Sequence, residues 1–129
     1  MPDLPESIEG LTWRSATVDD AEAFARLHAL CHAVDGGYLM VGSEYRNELA
    51  HPANDAAADT LAAFDEAGEA IAFGYAFMTG GDTSTHRVFP WGQVHPGLRR
   101  RGIGTALMTW LEARAMERLG EFDDGLPKT

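Results

Sequence analysis

The spacing of apolar and polar positions divides the chain into short strands and amphipathic helices in the order β-α-α-β-β-β-α. Residues 11–16, LTWRSA, have the character of a short first strand. Thr17 is placed to cap the helix that follows, with Asp19 and Asp20 in its first turn, where negative charge suits the helix dipole. Ala23, Leu27, Leu30, Cys31 and Val34 give that helix an apolar stripe, and Gly36-Gly37 ends it. A weaker helix is predicted from Ser43 to about Leu49, stopped by His51-Pro52, with residues 53–59 as a loop. A hairpin follows, with strands Thr60–Phe64 and Ala70–Met78 joined by Asp65-Glu66-Ala67-Gly68-Glu69. In its second strand Ile71, Phe73, Tyr75 and Phe77 share one face, and Ala72, Gly74 and Ala76 share the other. Both faces are suited to burial, the small one admitting a close helix. Residues 80–85 are turn material. Residues 87–94 form a further strand that Pro90 and Gly92 are expected to make irregular or bulged. The clearest element comes last. Ile103, Ala106, Leu107, Trp110, Leu111, Ala115 and Leu119 recur at helical spacing, and Gly120 is a natural stop.

Composition narrows the class. With 129 residues, 45% of them hydrophobic and 23% charged, the chain suits one soluble domain. No apolar run approaches the roughly 20 residues that span a bilayer. The start, Met-Pro-Asp-Leu-Pro-Glu, lacks the basic and apolar regions of a signal peptide. The single cysteine, Cys31, allows no internal disulfide. Together these features lead to the expectation of a cytoplasmic protein. The net charge of −10 is unevenly spread. Residues 1–86 hold three arginines against 15 acidic residues, whereas residues 87–129 hold seven basic residues against five acidic ones. That balance opposes general nucleic-acid binding. It makes Arg99-Arg100-Arg101 a local exception, suited to one small anionic ligand. The acidic remainder hints at a cationic second substrate.

The three arginines run into Gly102-Ile103-Gly104 and then directly into the last helix. A helix start leaves its first backbone N–H groups unpaired and carries partial positive charge, and glycines let a ligand approach the backbone closely. The combination is a ready anion site. A P-loop needs Gly-Lys-Ser/Thr, and here Gly104-Thr105 has no lysine. A dinucleotide fingerprint needs a third glycine where this chain has Leu107, and it belongs early in a βαβ unit.

The stretch from Gln93 to Leu107, QVHPGLRRRGIGTAL, resembles the acetyl-CoA loop of the GNAT family of N-acetyltransferases. That family's Gln/Arg-x-x-Gly-x-Gly/Ala signature is met by Arg99, Gly102 and Gly104. The preceding Val-x-Pro and the upstream element order agree, and the resemblance covers residues 11 to 119. It implies an α/β fold with a mixed, mostly antiparallel sheet flanked by helices. It divides the chain into an N-terminal extension over residues 1–10, an acetyl-CoA-binding domain over 11–120 and a tail over 121–129. It implies acetyl-CoA as cosubstrate, its pyrophosphate taken by the amides of Arg100, Arg101, Gly102, Ile103, Gly104 and Thr105. Gly92, Gln93 and Val94 are expected to pair with the pantetheine arm. In the family a neutral amine attacks the thioester directly, a strand N–H steadies the oxyanion, and a base removes the amine's proton. The expected partners are a coenzyme A thioester and an amine acceptor, with no nucleic acid and no membrane.

The family's fold normally continues with a further strand, helix and strand pair, whereas here 25 residues follow Gly104. The fold is therefore expected to be incomplete at its C-terminal end. The chain is then a fragment, one partner of a sheet-completing homodimer, or a shortened relative that binds acyl-CoA without catalysis. The catalytic residues stay unassigned. His28, Cys31 and His32 stand at i, i+3 and i+4, a spacing that can hold a metal. Cys31 belongs to the apolar stripe, so the reading preferred is a buried thiol beside surface histidines, with no metal. By the resemblance, residues 32–45 line the acceptor site, where Tyr38, Glu44 and Tyr45 either meet the amine or form ordinary surface. His95 is a candidate proton relay. Trp91 and Trp110 are read as core or as walls of the pantetheine cavity.

Overall fold

The computed structural model describes residues 2–37, 39–52, 55–78 and 88–121. The strands are β1 (Thr12–Arg14), β2 (Thr60–Phe64), β3 (Ala70–Met78) and β4 (Val88–Val94). The helices are α1 (Ala21–Asp35), α2 (Gly42–Ala50), the single turn α3 (Ala56–Asp59) and α4 (Ile103–Gly120). The strands form one antiparallel sheet in the order β1-β2-β3-β4, with α4 on one face and α1 and α2 on the other. This is the α/β fold with an antiparallel sheet flanked by helices that the sequence predicts. Residues 80–85, expected as a turn, Arg87, expected in the fourth strand, and most of the tail lie outside the described residues.

Several local expectations are corrected. The first strand is shorter than residues 11–16, because Ser15 and Ala16 bond elsewhere. Ser15 Oγ donates to Ala57 O at 2.6 Å, and Ala16 N donates to Thr60 Oγ1 at 2.8 Å. The buried side of α1 is Ala21, Phe24, Leu27 and Cys31, whereas Leu30 and Val34 are 47% and 65% exposed. The stripe is therefore rotated toward Phe24, which stacks on Phe73 with ring centroids 3.9 Å apart. Within the stretch expected to be loop, Asp55 caps α3 by accepting the Ala57 N–H. Finally, the register shifts between Ala63 and Phe64, which pair with Ala72 and Ala70. Ile71 is the extra residue of this bulge, and it packs with Ala72 on the α4 side rather than with Phe73.

The small face of β3 does admit a close helix. A Cβ at Gly74 would collide with Leu111 and come within 2.7 Å of Trp91 O. A Cβ at Gly92 would come within 2.8 Å of Leu107 Cδ2. Leu107 and Leu111 are buried, and each such leucine contributes about 1.5–3 kcal/mol on leaving water. The irregularity expected in β4 is absent, since its pairing with β3 runs unbroken from Ala72↔Val94 to Met78↔Val88. Pro90 fits because β4 is an edge strand of this sheet, where a missing N–H is tolerated.

One polar cluster joins the start of β2 to α4. Asp59 is 1% exposed and accepts Arg114 Nε at 3.0 Å and Arg118 Nη1 at 2.7 Å. Removing the carboxylate takes the anion from the largely buried Arg118 guanidinium and leaves Arg114 with the more exposed Glu117 and Glu121. Asp59→Ala is therefore expected to cost about 3–5 kcal/mol in urea unfolding, and Asp59→Asn, which keeps an acceptor, less. A cost below 1 kcal/mol for Asp59→Ala would show that the cluster is not held as described.

Candidate functional site

The C-terminal end of β4 leads into a tight turn. His95 Nδ1 accepts the Gly97 N–H at 3.0 Å, which caps the 3-10 turn Pro96–Leu98. That contact gives His95 a structural role at the entry to the loop. The chain then enters the basic loop. Arg100 has φ 67° and Gly102 φ 82°, both in the left-handed region that favours glycine. A non-glycine residue held there is strained, a feature that concentrates at ligand sites. After Leu98, the first backbone N–H that donates among the described residues is that of Ala106, to Gly102 O at 3.0 Å. The amides from Arg99 to Thr105 thus make no backbone hydrogen bond of good geometry among the described residues, and they lie beside the positive end of α4.

A cavity of about 740 Å³ opens between this loop, the end of β4 and α1. Of the residues expected to hold the cosubstrate, Gly92, Gln93, Val94, Arg99, Arg100 and Gly104 line it. Gly102 and Thr105 instead face a second hollow of about 590 Å³ against the N-terminal segment, where Trp110 Nε1 donates to Pro2 O at 3.3 Å. Arg101 is exposed, and the Ile103 side chain is buried in the core. Gly104 is not required by packing, since a Cβ there would make only an ordinary 3.5 Å contact with Val94. Trp110 is core, whereas Trp91 lines the cavity and stacks on Tyr75 at 5.3 Å.

The helix α1 supplies the opposite wall. His28 and His32, expected on the surface, line the cavity with Cys31 and Asp35. The rotated stripe of α1 turns them inward. Among the described residues no group of three or more His, Cys, Asp or Glu side chains is arranged to hold a metal. Burial pushes the Cys31 thiol up despite nearby Arg99, so it stays protonated and a poor nucleophile. Tyr45 is buried beneath the wall, where its hydroxyl meets His28 Nδ1 at 2.7 Å and accepts from Gln93 Nε2 at 3.0 Å. Burial raises its pKa far above the usual phenol range, which fixes it as a neutral hydrogen-bonding group. Tyr38 lies outside the described residues.

The sequence reading missed the partner of Arg99. Its Nη1 and Nη2 donate to the two oxygens of Asp35 at 3.0 and 2.6 Å, and its Nε donates to Val94 O at 3.3 Å. The Arg99 hydrogen bond holds the Asp35 carboxyl below its ordinary range. A signal existed, because a carboxylate in the last turn of a helix opposes the dipole and so calls for a cation from elsewhere.

The profile of the acetyltransferase (GNAT) family matches residues 21–123. No curated protein matches the chain. Among solved structures, the chain is similar to a GCN5-related N-acetyltransferase from Sphaerobacter thermophilus, with a TM-score of 0.69 and 27% identity. The match covers 92% of this chain and 35% of that one. It is similar in fold to diaminobutyrate acetyltransferase from Paenibacillus lautus, solved with L-2,4-diaminobutyric acid and coenzyme A (TM-score 0.58, 22% identity, 78% and 55% covered). A ribosomal-protein-alanine N-acetyltransferase from Brucella melitensis also shares the fold (TM-score 0.57, 22% identity, 84% and 73% covered). The chain thus spans between a third and three quarters of the length of these three structures.

The Tyr45 network is testable by itself. Tyr45→Phe removes the oxygen shared by the half-buried Gln93 amide and His28 Nδ1, at a cost of about 1–3 kcal/mol in unfolding free energy. A stability equal to wild type would contradict the network.

Proposed function

Since the chain belongs to the acetyltransferase (GNAT) family, we propose that it binds acetyl-CoA at the start of α4 and passes the acetyl group to an amine. The observation that supports this reading is the run of backbone amides from Arg99 to Thr105, which make no backbone hydrogen bond of good geometry among the described residues. A pyrophosphate is matched by several such donors, because hydrogen bonds to a charged acceptor are stronger than neutral ones. Arg100 and Arg101, both exposed, add charge beside them. The adjoining cavity, walled by Gly92, Gln93 and Val94, takes the pantetheine arm. The strand-end backbone of β4 pairs with its amides and holds the thioester near His28 and Trp91.

In the transfer, a neutral amine attacks the thioester carbon, the C–N bond forms, and the C–S bond breaks to release coenzyme A thiolate. The amine's proton leaves to water or a base, and the thiolate takes one up, so protons balance overall. The acidic balance of residues 1–86 favours an acceptor that carries positive charge.

Calorimetry with acetyl-CoA tests binding. Arg101→Glu combined with Gly104→Val is expected to weaken binding by about a hundredfold or more, through charge reversal and obstruction of the approach to the amides. The fold is expected to hold, because position 104 has room for a Cβ. Unchanged affinity would count against the loop, and no binding by the wild type at millimolar acetyl-CoA would refute the assignment. Release of free thiol with a panel of amines then separates the enzyme from a non-catalytic acyl-CoA-binding or assembly module, which binds and does not turn over.

A further inference from the structure

Arg99 is doubly committed. It grips both oxygens of Asp35 at 3.0 and 2.6 Å, and its Nε donates to Val94 O at 3.3 Å. The fork-to-carboxylate geometry is the strong form of a charge-assisted pair. The Cys31 thiol donates to the same carbonyl at 3.4 Å. Val94 is the last residue of β4, so its carbonyl is an acceptor that an amide entering along the strand end would meet. Asp35 stands at the end of α1, immediately before Gly36 and Gly37, whose φ values of 72° and 89° turn the chain sharply. Asp35, Val94 and Arg99 all line the one cavity. The carboxylate therefore stands in the wall of a site whose loop is built for an anion. A phosphate and Asp35 compete for one guanidinium, while an amide N–H competes with Arg99 Nε for one carbonyl.

We propose that Asp35 is an internal competitor for the phosphate-bearing ligand. It occupies Arg99 and, through Arg99, the Val94 carbonyl, so the ligand enters by exchange for this contact. This inference rests on the coenzyme A reading above. The contact favours the closed arrangement, and the ligand's apparent affinity is reduced by the work of opening it. Release of coenzyme A is assisted by the same exchange, because Asp35 recaptures Arg99 as the phosphate leaves. Asp35 is a positioning residue in this scheme, since it acts through Arg99 and forms no bond to the ligand.

The test is calorimetry on the full chain at low ionic strength with coenzyme A and with pantetheine, which brings no phosphate. Asp35→Asn is expected to tighten coenzyme A binding about tenfold and to change pantetheine binding less than about threefold. In an Arg99→Gln background the same substitution is expected to change coenzyme A affinity by less than about twofold. An equal gain in that background would show simple repulsion between Asp35 and the ligand, and would overturn the proposal. No gain in the Arg99 background would also overturn it. Failure of coenzyme A to bind both wild type and Asp35→Asn would instead bring down the coenzyme A reading, and this inference with it.

Discussion

The packing of α4 on the small face of the sheet is the constraint on which the site depends. At Gly74 and Gly92 no side chain stands between β3–β4 and the helix, and Leu111 and Leu107 fill that space. A helix held this close has its first turn fixed beside the end of β4. Arg99, Arg100 and Gly104 of the loop and Gly92, Gln93 and Val94 of β4 are thereby brought to one cavity. The interior packs densely, so this placement tolerates little slack. The Asp59 cluster with Arg114 and Arg118 secures the far half of the same helix to the start of β2.

Electrostatics refine the picture of the loop. Its three arginines stand out in a chain of net charge −10, but they are not equivalent. Arg99 is paired with Asp35, so its charge is balanced before any ligand arrives. The attraction left to the site comes from Arg100, Arg101, the helix dipole and the amides of the loop. Backbone donors in a fixed loop need no side-chain ordering, so they suit a ligand recognised by its phosphate groups. On the opposite wall Cys31 is protonated and Tyr45 does not ionise, while the Asp35 carboxylate keeps its charge against Arg99.

The parts legible in sequence were those governed by local chemistry. The hairpin Thr60–Phe64 and Ala70–Met78, the last helix and the glycine loop follow from alternation, helical spacing and turn residues. The parts that were not legible depend on contacts distant in sequence. Leu30 and Val34 complete a helical stripe as well as Phe24 does, and only packing on Phe73 selects Phe24. That choice of face also turns His28 and His32 into the cavity. The bulge at Ile71 comes from the register between two strands, which alternation in one strand does not encode. The Asp35–Arg99 pair joins residues 64 positions apart, and its trace in the sequence is an acid at the wrong end of a helix. Loop composition, by contrast, is local, so the candidate anion site could be proposed from the sequence alone.

The central claim is that main-chain N–H groups at the start of α4 hold the phosphates of coenzyme A. The direct measurement is a titration of isotope-labelled protein with coenzyme A, followed through its backbone amide resonances. The account predicts that the largest shifts fall on Arg100 to Thr105, with a second group at Gln93 and Val94. Saturable shifts that leave those amides unmoved and cluster elsewhere would contradict it.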